Sequence, residues 1–185
     1  MTKTIIFIGP ICSGKTTVAA LLAKKLDMPQ CSIDDVRFTY YKDNGFSEDT
    51  QREIREQEGF NGVYSYWKPF EADAAVRIVR EYQHHIIDFG GGHSVYEDPL
   101  LFKKVTTALD AEPYIFLLLP SADQKESVQV LNERLLEVTT DPQVHAINEH
   151  FVTHPSNERL AKYIIYTNGK TPGETAEEIA KIVNN

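Results

Sequence analysis

The residues best suited to chemistry come early in the chain: Gly9-Pro10-Ile11-Cys12-Ser13-Gly14-Lys15-Thr16-Thr17. They match G-x-x-x-x-G-K-[ST] at every fixed position, the spacing of a loop that wraps phosphate. The glycines let the backbone curl until successive N–H groups point inward at phosphate oxygens, and a following helix adds its positive N-terminal end. Lys15 brings a mobile ammonium to the outer phosphates, and the Thr16 hydroxyl is a ligand for Mg²⁺. Gly9, Cys12, Ser13, Gly14, Lys15, Thr16 and Thr17 are therefore the candidate contacts for a bound nucleoside triphosphate, with ATP and Mg²⁺ the expected cofactors.

Further candidates lie where apolar runs end. Asp88 closes His85-Ile86-Ile87, where a carboxylate would orient Mg²⁺ or its waters; the alternative is an Asp capping a strand-end turn. Asp34 and Asp35 follow Gln30-Cys31-Ser32-Ile33. Asp34 is the residue expected to face the cleft and accept the proton of an attacking hydroxyl, while the alternative for the pair is an N-cap of a helix starting near residue 36. Gly90-Gly91-Gly92 is either a close backbone approach to substrate or a plain tight turn. Arg134 is placed to stabilise charge on the transferring phosphoryl group, or else to sit in solvent on a helix surface. Lys68, Arg77 and Arg80 are weaker candidates for holding an anionic substrate, and Arg77 and Arg80 at i and i+3 read as an exposed helical face. His150 and His154 stand one turn apart, but no Glu follows His150, so a zinc-protease helix is not expected. Cys12 reads as a small filler residue within the loop.

These residues need a parallel sheet to bring them together. Apolar runs at 4–8, 30–33, 85–89, 114–119 and 163–166 predict five strands, separated by segments with helical spacing. Helices are expected over 17–26, 50–64, 68–82, from 98 onward, over 121–138 and over 172–183, with polar stretches at 36–49 and 139–158. The predicted class is α/β: a three-layer P-loop NTPase core with a five-stranded parallel sheet, helices on both faces and a helical lid. Ligands of such sheets sit beyond the carboxyl ends of the strands, where all of the acidic candidates fall. No repeat or linker divides the chain, so one domain over 1–185 is expected, with substrate-binding helices in 36–83 and a lid in 139–154.

With 185 residues, 42% hydrophobic and 25% charged, the chain has the composition of an ordinary globular protein. A formal net charge of −8 argues against broad nucleic-acid binding, so no nucleic-acid partner is expected. The two cysteines, Cys12 and Cys31, are too few for a disulfide framework. No apolar stretch is long enough to span a bilayer, and no signal peptide is evident, which leads to the expectation of a cytoplasmic protein without a membrane partner.

With these residues in hand, the chain resembles the shikimate kinase-like branch of P-loop small-molecule kinases, a group that includes gluconate kinases and is related to nucleoside monophosphate kinases. The likeness rests on the loop 9–17, Ser32-Ile33-Asp34, Trp67-Lys68-Pro69-Phe70-Glu71, Gly90-Gly91-Gly92, Tyr166-Thr167-Asn168 and Thr171-Pro172-Gly173-Glu174. The resemblance implies that Asp34 contacts the acceptor hydroxyl, that Gly90, Gly91 and Gly92 line the acceptor site, and that Arg134 is the lid arginine. It also implies that Lys68 and His154 stand where the family has substrate arginines. A point charge then replaces a bidentate clamp, and the identity of the acceptor is open. The expected activity is ATP-dependent phosphorylation of a small-molecule hydroxyl. A nucleoside or nucleotide kinase is the first alternative, with Tyr40, Tyr41, Phe60, Tyr64, Tyr66 and Trp67 available to stack a base. A non-catalytic NTP-binding regulator is the second. The oligomeric state is not legible.

Overall fold

The apolar runs form strands β1 (Ile5–Ile8), β2 (Gln30–Ser32), β3 (Ile86–Asp88), β4 (Tyr114–Leu119) and β5 (Tyr163–Tyr166). They are seen in a computed structural model that describes residues 3–184. The strands make one parallel sheet of order β2-β3-β1-β4-β5. The middle strands β1 and β4 are continuous apolar runs because helices cover both of their faces. Side chains alternate across the sheet. Ile5 and Phe7 join Ile86, Phe116, Leu118 and Ile165 on one face, packed by α1 (Lys15–Leu26) and α8 (Pro172–Asn184). Ile6 and Ile8 join Ile87, Ile115 and Leu117 on the other. That second face is covered by α2 (Ile33–Asp43), α3 (Glu48–Glu81) and α4 (Pro99–Leu109). The three-layer α/β architecture expected from the pattern is the one observed.

Register sets up the site. Phe7 pairs with Asp88, and Asp88 pairs with Ser32. Three neighbouring strands thus end at one level, and the segments that leave them emerge side by side.

Three local expectations need correction. Strand β2 stops at Ser32 rather than 33, and α2 begins at Ile33, so much of the polar stretch from 36 is helix. Most of its polar residues are exposed, while Ile33, Tyr40 and Tyr41 are buried. The two helices expected at 50–64 and 68–82 are one element, α3, interrupted at Gly59 (φ 68°, ψ −154°) rather than between 64 and 68. The polar segment from 139, expected to form a helical lid to 154, holds α6 (Pro142–Thr153), and α7 (Ser156–Leu160) follows. Asp141 caps α6 by accepting a hydrogen bond from Gln143 N (2.9 Å), just as Asp98 caps α4 through Leu100 N (2.7 Å). Both caps precede a proline at the first helical position. Likewise, α5 (Gln124–Leu135) starts at Gln124 rather than at 121, because Asp123 is its cap.

Aromatic residues fuse α2 to α3. Tyr41, which is fully buried, packs near Phe46 (5.7 Å between centroids) and Phe70 (5.8 Å), and Tyr66 contacts Phe70 at 5.2 Å. The hydroxyls also have protein partners: Tyr40 donates to Glu81 (2.8 Å), Tyr64 to Glu97 (2.8 Å) and Tyr66 accepts from Ser47 N (3.0 Å). The aromatics read as available to stack a base are largely core and clasps.

Candidate active site

The loop from Gly9 to Gly14 joins β1 to α1. Gly9 has φ 136°, and a β-carbon there would lie 2.6 Å from the Leu118 carbonyl oxygen on β4. Only glycine lets the loop leave the sheet so close to its neighbour. Gly14, at φ 91°, occupies the N-cap position of α1, and Cys12 also takes a left-handed conformation (φ 62°). A non-glycine residue in that region is strained. Burial raises the Cys12 thiol, with Lys15 and Arg134 acting against it, so it is no reactive thiolate.

Lys15 is buried beneath the loop. Its ammonium donates to the carbonyls of Gly9 (2.9 Å) and Pro10 (2.7 Å). Burial pushes its pKa down to about 8, against the pull of Asp34 and Asp88 in the other direction. Beside it the Thr16 hydroxyl donates to Asp88 Oδ1 (2.7 Å). The Asp88 carboxylate is almost fully buried and also accepts from Gln30 Nε2 (2.7 Å) and Ser32 Oγ (3.0 Å). A hydroxyl and a carboxylate at the positive end of a helix are hard oxygen donors, and they suit Mg²⁺. Gly9's closed-off cradle, the buried ammonium and the N-terminus of α1 suit a polyphosphate.

Asp34 lies in the first turn of α2 and faces this loop. With Ile11, Cys12, Lys15, Thr16, Phe89 and Gly91 it lines a cleft of about 310 Å³. Ionised carboxylates are favoured at such a helix start. Gly90 packs directly on the Asp34 carboxylate, leaving no room for a side chain there. A methyl at Gly91 would meet Ile11 Cγ1 at 2.7 Å, and one at Gly92 would meet Glu71 Oε1 at 2.9 Å. The triplet is a point of close approach rather than a casual turn. It ends at His93, fully buried, whose Nε2 lies 3.0 Å from the Tyr41 hydroxyl. Burial lowers the His93 pKa to about 3, so the imidazole is neutral.

The other candidates are placed differently. The Lys68 ammonium is buried behind the triplet, donating to the carbonyls of Gly92 (2.8 Å) and Val95 (3.0 Å) and pairing with the Glu71 carboxylate. Its three protons have protein partners, and Tyr64 lies 4.3 Å beneath it. His154 is outside this cleft. It lines a separate opening of about 590 Å³ with Tyr96, Phe102 and Arg159. Glu97, His150 and His154 do gather, with ligand atoms within 4.8 Å of one another. However, His154 Nδ1 already accepts from Ser156 N (3.2 Å), which leaves the proton on the other ring nitrogen and ill suits metal ligation. Arg134, exposed on α5, reaches the loop rim, where Nη1 donates to the Cys12 carbonyl (3.2 Å).

Three contributors were not singled out in the sequence. Arg37 pairs with Asp34 (3.1 Å), and its i+3 spacing from Asp34 on α2 was the available signal. Asn148, 1% exposed, accepts from Ile11 N (2.7 Å) and donates to Ile11 O (3.3 Å), tying α6 to the phosphate loop. Its signal was a polar residue on the same helical face as Phe151 and Val152. Gln143 fills the break in α3, where its side-chain oxygen accepts from Phe60 N. A side chain reaching from another helix leaves no trace in local sequence.

A sequence model of the shikimate kinase family matches residues 11–184. The chain is 27% identical to a shikimate kinase of Flavobacterium psychrophilum, over 98% of this chain and 99% of that one. It is 28% identical to a shikimate kinase of Thermodesulfovibrio yellowstonii, over 97% and 94%. Its fold is similar to that of shikimate kinase from Acinetobacter baumannii in complex with shikimate. There the TM-score is 0.64 at 20% identity, covering 100% of this chain and 94% of the other. Among the described residues no helix is long and apolar enough to cross a membrane.

Proposed function

The chain belongs to the shikimate kinase family, and from that premise we propose that it transfers a phosphoryl group from Mg²⁺–ATP to a hydroxyl of a small molecule held beside Asp34. The observation that carries the reading is the single cleft in which Lys15, Thr16, Asp34 and Gly91 converge. Mg²⁺–ATP, when bound, supplies the electrophilic phosphoryl group and the cation that shields its charge.

The chain's own residues then have distinct tasks. Lys15 exchanges the Gly9 and Pro10 carbonyls for phosphate oxygens, and the amides of residues 12–17 orient the phosphates. Thr16 and Asp88 hold the cation or its waters, with Gln30 and Ser32 fixing the carboxylate. Asp34, at the positive end of α2, orients the acceptor hydroxyl and receives its proton. Arg134, already at the loop rim, stabilises the charge of the transferring group. Asn148 and Arg134 make the α5–α6 segment the lid of the site, closing on the phosphate loop. Lys68 acts through the glycine triplet, whose carbonyl it holds, rather than by touching the acceptor.

The test is Asp34→Asn. ATP binding should survive, measured by the rise in melting temperature with ATP, while acceptor-dependent ADP release should fall by about 10²- to 10⁴-fold. Full turnover by this variant would remove Asp34 from the mechanism.

A further inference from the structure

Arg37 is the cation at the acceptor end that the protein leaves least occupied. The Lys68 ammonium has partners for each of its protons, and His93 is neutral. Arg37, one turn after Asp34, has an ion pair with the Asp34 carboxylate at 3.1 Å, and its Nε is buried with no partner among the described residues. Its guanidinium carbon lies 4.9 Å from the Phe38 ring centroid and 4.9 Å from that of Trp67. These aromatics set the plane of the fork, so any further partner is an in-plane oxygen pair. Such a preset fork loses little freedom on binding a carboxylate or a phosphate in bidentate fashion.

We propose that Arg37 is a specificity-determining residue that binds an anionic oxygen group on the acceptor, exchanging Asp34 for the substrate. The proposal rests on the phosphotransfer reading above and deepens it. While Arg37 is paired with Asp34, a carboxylate oxygen that could meet the acceptor hydroxyl is engaged by the guanidinium. An anionic group arriving at Arg37 competes for the guanidinium and frees Asp34 for the hydroxyl of the same molecule. Selection of a charged acceptor and activation of the carboxylate become one event. A neutral alcohol would leave the ion pair closed.

Trp67 is the single tryptophan of the chain, and it lies against Arg37, so its fluorescence reports on the guanidinium without turnover. Two pairs of probes compare an anionic member with a neutral one in which that group is masked or absent: shikimate with its methyl ester, and glycerol 3-phosphate with glycerol. The expected result is a saturable change in Trp67 emission with the anionic member of at least one pair, at about 10- to 100-fold lower concentration than with its neutral partner. The pair that responds identifies carboxylate or phosphate as the group. Arg37→Gln should abolish the preference, and Arg37→Lys should retain part of it. Equal response to charged and neutral probes in the unmodified protein, or an undiminished preference in Arg37→Gln, overturns the proposal. The unmodified protein tests the charge preference whether or not a variant folds. ADP release, followed in parallel, separates the two ideas. Charge-selective binding through Arg37 without ADP release leaves the anion site standing and refutes transfer to that probe. ADP release that is equal in Arg37→Gln does the reverse.

Discussion

On one side of the cleft the backbone of the glycine loop meets Lys15, Arg134 and Asn148, whereas on the other Asp34, Arg37 and His93 meet other side chains. Lys15 rests on the carbonyls of Gly9 and Pro10, Arg134 on that of Cys12, and Asn148 on both backbone groups of Ile11. Across the cleft, Asp34 meets Arg37, Arg37 lies against Phe38 and Trp67, and His93 meets Tyr41. A backbone site needs particular residue types at a few consecutive positions, because the curl of the chain does the binding. A side-chain site needs several elements brought to one place and tolerates many local sequences. The acceptor side is therefore where two relatives of one family can differ while sharing the donor loop.

This contrast can be broken experimentally. The largest effect is expected for Lys15→Ala, which should lower ADP release by about 10³-fold and weaken ATP stabilisation in a melting experiment. A small effect would mean that the loop amides alone carry the donor side. Next comes Lys68→Met, which strands the buried Glu71 carboxylate and should cost about 3–5 kcal/mol in urea unfolding. A Lys68→Met, Glu71→Leu pair should recover most of this. If the single variant is as stable as the parent, Lys68 is free to serve a ligand after all.

Gly90→Ala should be milder in stability and sharper in function. A methyl there displaces the Asp34 carboxylate, and misplacement of a reacting group by about 1 Å costs about 100-fold in turnover. ATP binding should be unchanged, since the variant touches only the acceptor side. A parallel loss of ATP affinity would show that the two sides are not separable.

The smallest expected effect is a pH dependence. Lys15 has a pKa of about 8 in the phosphate-free protein, so it is charged below that value and increasingly neutral above it. Phosphate favours the charged form. ATP binding should then weaken as pH rises past 8, by up to about tenfold per pH unit, with proton uptake on binding. Titration calorimetry in buffers of different ionisation enthalpy detects that uptake, and its absence would mean that Lys15 is fully charged without ATP.

Much of the fold could be read from the chain. The five apolar runs became five parallel strands, and Asp98-Pro99 marked the start of α4. Asp141-Pro142 carried the same signal for α6, within the polar segment where a helical lid was expected. The helices expected over 50–64 and 68–82 left a gap at 65–67, whereas the chain breaks its helix at Gly59. Proline's ring is accommodated within α3, while Gly59 adopts a backbone conformation that L residues rarely take.

By itself, the sequence determined the donor side and the layering of the sheet. Both depend on contiguous information: fixed residues in a nine-residue loop, and apolar periodicity within single elements. Tertiary structure decided the acceptor side. It placed the Lys68 ammonium behind the glycine triplet, directed His154 to another opening, and set Arg37 against Trp67 beside Asp34. The physical reason is that a long basic side chain can turn either to a ligand or to its own protein. Which one it meets depends on carbonyls, carboxylates and rings contributed from distant parts of the chain.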